Sequence, residues 1–97
     1  MATVNSQMEI SLASIADPHV TLRGMLLSLK GRYADAALDG ECTLRVGTLV
    51  QFRTPETIYL GEIEAIWTEQ GAQRIRVLIE HTLDLERAAA IRRLWNT

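Results

Sequence analysis

The sequence predicts an all-β fold with a terminal helix: a small antiparallel β-barrel followed by a C-terminal α-helix. Three observations carry this expectation. Extended runs at residues 48–53, 57–67 and 74–79 are separated by brief turn signals. The last run alternates cleanly, with Ile75, Val77, Ile79 and His81 on one face and Arg74, Arg76 and Glu80 mainly on the other. An arginine-bearing amphipathic segment, residues 83–95, closes the chain.

Taken in order, residues 1–7 are small, polar and aperiodic and read as a mobile terminus. Residues 8–15 suit a short strand or an ordered arm. Pro18 then breaks the chain, since proline restricts both itself and Asp17 before it. Residues 20–28 (VTLRGMLLS) form a strand in which the alternation shifts at Gly24, the mark of a bulge or bend. Short strands are expected near residues 32–34 and 42–44, around the Asp39-Gly40 turn, although residues 34–38 have the composition of a helix. Pro55 sets the turn between the strands at 48–53 and 57–67. In the longer strand a bulge at Gly61-Glu62 would put Ile58, Leu60, Ile63, Ala65 and Trp67 on the core side. Residues 69–72 make a glycine-containing hairpin loop. Asp84 caps the helix, Glu86 sits in its first turn and Arg92 and Arg93 in its last, all matching the helix dipole. Ala88, Ile91 and Leu94 or Trp95 form its apolar stripe. The domain is single, with the barrel over 20–82 and the helix over 84–95.

Composition bounds the chemistry. With 97 residues the core is real but thin. No apolar run reaches membrane-spanning length, and the N-terminal stretch lacks the pattern of a signal peptide. The lone Cys42 permits no internal disulfide, so a cytoplasmic setting is expected. A net charge of −2 and few aromatic residues argue against nucleic-acid binding. Nine of the ten basic residues are arginines, the side chain suited to planar contacts with carboxylates, phosphates and aromatic rings.

No catalytic constellation emerges. Cys42 with His19 or His81 lacks the spacing of a nucleophile and base or of a zinc site. His81 reads as a partly buried histidine continuing the core face. Glu62 and Glu64 share a strand face and are expected to pair with Arg74 or Arg76 across the hairpin. No enzyme activity, cofactor or metal is expected. Trp67 and Trp95 read first as packing residues. Trp95 beside Arg92 and Arg93 is a candidate protein contact, because tryptophan and arginine dominate interface hot spots.

Three passages together resemble the PilZ domain family: RVGTLVQF at residues 45–52, YLGEIEAIWTEQGAQRIRVLIE at 59–80 and DLERAAAIRRLW at 84–95. The resemblance implies a six-stranded antiparallel barrel ending in a helix, and it raises cyclic di-GMP as a ligand. The family's binding members carry RxxxR on an arm before the barrel, whereas the first arginine here is Arg23, inside the first expected barrel strand. In the family's [DN]xSxxG motif, Ser28 and Gly31 match but Leu26 replaces the acid or amide. Charged hydrogen bonds contribute about 1.5–3 kcal/mol each. Losing two arginines then costs roughly 3–6 kcal/mol, on the order of two to four decades in affinity.

The leading expectation is therefore a non-catalytic, PilZ-like regulatory or protein-interaction module without useful cyclic di-GMP binding. Its expected contact surface is Arg92, Arg93 and Trp95, with Arg74 and Arg76 beside them. The alternative is a cyclic di-GMP receptor that recruits Arg23 and Arg32 around Ser28 and Gly31. A thin core and a terminal helix are compatible with a homodimer, including one formed by helix exchange.

Overall fold

The computed structural model describes residues 8–95, apart from the side chains of Ala88 and Trp95. The expected mobile terminus at 1–7 lies outside the described residues. Six strands form the barrel: β1 (Met8–Ser14), β2 (Thr21–Lys30), β3 (Tyr33–Leu38), β4 (Leu49–Arg53), β5 (Thr57–Glu69) and β6 (Ala72–Asp84), followed by helix α1 (Leu85–Trp95). All pairings are antiparallel, and the sheet closes in the order β1-β2-β3-β6-β5-β4.

The expected barrel-plus-helix architecture is present, with a different first strand. β1 is a full member of the ring, bonded to β2 on one side and β4 on the other. The barrel thus begins at Met8, not residue 20. Residues 42–44 form no strand; Cys42 and Leu44 instead pack their side chains against the core from a connecting segment. The helix-friendly run at 34–38 belongs to β3. Ala34, Ala36 and Leu38 alternate into the core, where small side chains suit a narrow barrel interior, and tertiary packing overrides helix propensity.

The interior is filled by Ile10 and Leu12 of β1, Val50 and Phe52 of β4, Ile63 of β5, and Ile75, Val77 and Ile79 of β6. The Phe52 and Tyr59 rings stack at 4.6 Å between centroids. The space bounded by Leu12, Ala36, Phe52 and Val77 is too tight to admit water, so a ligand has to bind outside the barrel.

Bulges decide which side chains reach this core. The register of β2 against β3 shifts at Leu27 rather than at Gly24. Gly24 instead permits close strand approach, since a Cβ there would collide with the Ala37 carbonyl oxygen. Between β5 and β6 the register shifts twice, at Leu60/Gly61 and between Ile63 and Ala65. The second shift, at Glu64, corrects the expected core face. Ile63 and Ile66 turn inward, while Trp67 is carried to the outer surface. The first leaves Glu80 without a partner in the ladder, and His81 is exposed rather than partly buried. The β5–β6 turn is tight, with Gln70 and Gly71 both in the left-handed region at φ 54° and 78°.

Asp84 caps α1 as expected, its Oδ1 accepting from the backbone N–H groups of Glu86 (2.9 Å) and Arg87 (3.1 Å). The Leu85 N–H donates to the Glu56 carbonyl at 3.0 Å, tying the helix start to the β4–β5 turn. No described helix is long and apolar enough to cross a membrane.

Candidate functional site

Two surfaces carry the expected protein-contact residues, and β6 separates them. The first lies across the outer face of β3, β6 and β5. Asp35 of β3 is the direct cross-strand partner of Arg76 of β6. Their side chains form a two-pronged pair, Arg76 Nε to Asp35 Oδ1 at 2.8 Å and Arg76 Nη2 to Asp35 Oδ2 at 3.0 Å. The guanidinium is also 5.9 Å from the centre of the Tyr33 ring and 5.7 Å from that of Trp67. The hydrogen bond that Arg76 donates to Asp35, and then the charge of Asp35, hold the Arg76 pKa above the ordinary guanidinium value, with a smaller contribution from Glu64.

Arg74 is likewise engaged. Its Nη1 lies 3.3 Å from Glu69 Oε2, and its Nη2 donates to Gln70 Oε1 at 3.2 Å. Trp67 Nε1 donates to Glu69 Oε1 at 3.1 Å. The expected pairing of Glu62 and Glu64 with Arg74 or Arg76 is therefore corrected, because the bulge at Glu64 takes that strand out of step. Arg76 pairs with Asp35, and Arg74 with Glu69. Asp35 and Tyr33 could have been found from the sequence had residues 33–38 been recognised as an alternating strand.

The second surface is α1. Arg92 and Arg93 are exposed in its last turn, and Arg87 is exposed in its first. Ile91, on the expected apolar stripe, retains 46% of its accessible surface. The helix meets the barrel through β6, at the strand's far end from the Arg74–Arg76 face. From Arg76 to Asp84 the strand runs roughly 25 Å. The two basic surfaces are not side by side along β6. The Trp95 side chain, the third expected helix contact, lies outside the described residues.

The residues of the alternative cyclic di-GMP reading are also placed. Ser28 lies near the end of β2, and Gly31, at φ 59°, forms the β2–β3 turn with Arg32. Arg32 Nε donates to the Ile79 carbonyl at 3.1 Å. Arg23 lies nearer the other end of β2, opposite Ser11 of β1. Roughly 20 Å of strand separates it from the turn. Ser28, Gly31 and Arg32 are thus local to one hairpin, and Arg23 does not join them.

No protein-family model and no curated protein matches the chain. Among the described residues, no three His, Cys, Asp or Glu side chains are grouped to hold a metal. Cys42 is half-buried, with its backbone N–H on Gln73 Oε1 and its thiol directed at the Leu44 carbonyl. It packs in the connection across one barrel end and has no histidine among these hydrogen-bond partners.

Proposed function

We propose that the chain is a non-catalytic, PilZ-like interaction module of the cytoplasm, which uses α1 to engage an acidic protein surface and does not bind cyclic di-GMP usefully. The exposure of α1 is the observation that supports this reading. An 11-residue helix is marginal in isolation, yet its length beyond the capped first turn keeps high exposure at Ile91 and two arginines. The helix carries Arg87, Arg92 and Arg93 against the single acid Glu86, which suits a negatively charged partner. The Arg74–Arg76 face contributes less, since its guanidinium groups are already held by Asp35 and Glu69.

Two measurements test the proposal. Calorimetric titration with cyclic di-GMP is expected to give no micromolar binding; a micromolar dissociation constant would return the receptor reading. In affinity capture, the double reversal Arg92→Glu/Arg93→Glu is expected to release the bound acidic partner while the barrel keeps its melting temperature. Retention of every captured protein by this variant, and by a chain ending at Ile91, would remove α1 as the contact element.

A further inference from the structure

A third basic feature lies across the barrel from the Arg76 cluster, on the outer face of β1. Ser11 is the cross-strand partner of Arg23 on β2 and also of Arg53 on β4. Leu12 beside it is buried, so Ser11 faces outward, and partners across a sheet share a face. Both arginines are exposed. Two strand spacings put their Cα atoms about 10 Å apart, with the serine hydroxyl between them. The described ion pairs are Arg74–Glu69 and Arg76–Asp35; among the described residues, neither Arg23 nor Arg53 has a carboxylate at pairing distance.

The row along β1 is small at Ser11 and Ala13, and its neighbours Thr21, Arg23, Gln51 and Arg53 are longer. The result is a groove. One part, of about 400 Å³, runs over Ser11 and Ala13 to Ile15 and Pro18. The adjoining part, of about 440 Å³, shares Ser11, Thr21 and Arg53 and includes Arg23, with Glu9 at its margin. These sizes fall in the range of small-ligand sites.

We propose that this groove binds the phosphate group of a small phosphomonoester. Arg23 and Arg53 clasp the phosphate oxygens from two sides, and the Ser11 hydroxyl donates from the floor. A guanidinium presents paired N–H donors that match phosphate oxygens, and two of them balance a dianion. Glu9 limits the site to a single phosphate, because its carboxylate repels a second one placed toward that margin. The organic part of the ligand lies in the other direction, over Ala13 toward Ile15 and Pro18. This site uses none of the α1 residues, so it stands or falls independently of the interaction surface proposed above.

The test is an NMR titration of the full chain with AMP, with adenosine, inorganic phosphate and a phosphoserine peptide as separate arms. AMP is expected to shift the amides of Ser11, Arg23 and Arg53 saturably, phosphate to shift the same amides more weakly, and adenosine to leave them unmoved. Arg23→Gln and Arg53→Gln should each weaken AMP binding at least about tenfold with the spectrum otherwise retained. Glu9→Gln should tighten it. Unmoved amides, or an affinity indifferent to both arginine substitutions, would overturn the site. A phosphoserine peptide bound more tightly than AMP would overturn the small-molecule assignment.

Discussion

Phe52→Ala is expected to lose about 3–5 kcal/mol of stability, the range for removing a large aromatic side chain from a core. Phe52 is 1% exposed on β4 and stacks on Tyr59. Truncation removes its transfer free energy, the ring pairing and the filling of the barrel interior together. The closed ring of strands restricts how far the wall can collapse into the gap. A domain of this size holds on the order of 5–15 kcal/mol in total, so the loss is a large fraction of the whole. The melting temperature should fall on the order of 20 °C. Denaturant unfolding of both proteins measures the difference directly. A loss under about 1 kcal/mol would mean that the ring does not occupy the packed interior.

Gly61→Val, at the single glycine of β5, should also be strongly destabilising, and its mechanism is different. A Cβ at Gly61 would run into the Leu78 carbonyl oxygen and the Val77 Cγ1 atom of β6. A side-chain end can swing aside, but a ladder carbonyl cannot move without breaking the pairing next to the Leu60/Gly61 register shift. Overpacking of this kind costs about 1–3 kcal/mol and occasionally more. Gly40→Ala is the control, because nothing lies near its added methyl group. If thermal melts place Gly61→Val and Gly40→Ala within about 0.5 kcal/mol of each other, the close approach of β5 and β6 is wrong.

The contrast between particular elements explains what was legible in the sequence. The β5–β6 hairpin was readable because alternation and a Gln70-Gly71 turn point to the same structure. β3 was hidden because its core residues include two alanines, whose local preference is helical; their selection for a narrow interior appears only when the opposite wall is known. The burial of Trp67 was misread for a smaller reason. One bulged residue, Glu64, reverses the face of all that follows until the ladder ends, and a bulge without glycine has a faint signature. At the candidate sites, the cap of α1 was visible at Asp84, being local in sequence. The pairing of Arg76 with Asp35 and the Arg23–Ser11–Arg53 rung join distant segments, so they follow from register alone.

The hydrogen bond from Leu85 to Glu56 has a consequence for how the domain is suspended. β1 starts at Met8, three residues beyond Ser11 in the direction of the turn after Arg53. β6 ends beside that same turn, where Leu85 is fastened. The polypeptide therefore enters and leaves the barrel at one pole, as a lantern hangs from a single hook. Traction or tethering through the chain on either side would act at the pole of α1. The opposite pole, bearing the connections β1–β2, β3–β4 and β5–β6, faces away from both points of attachment.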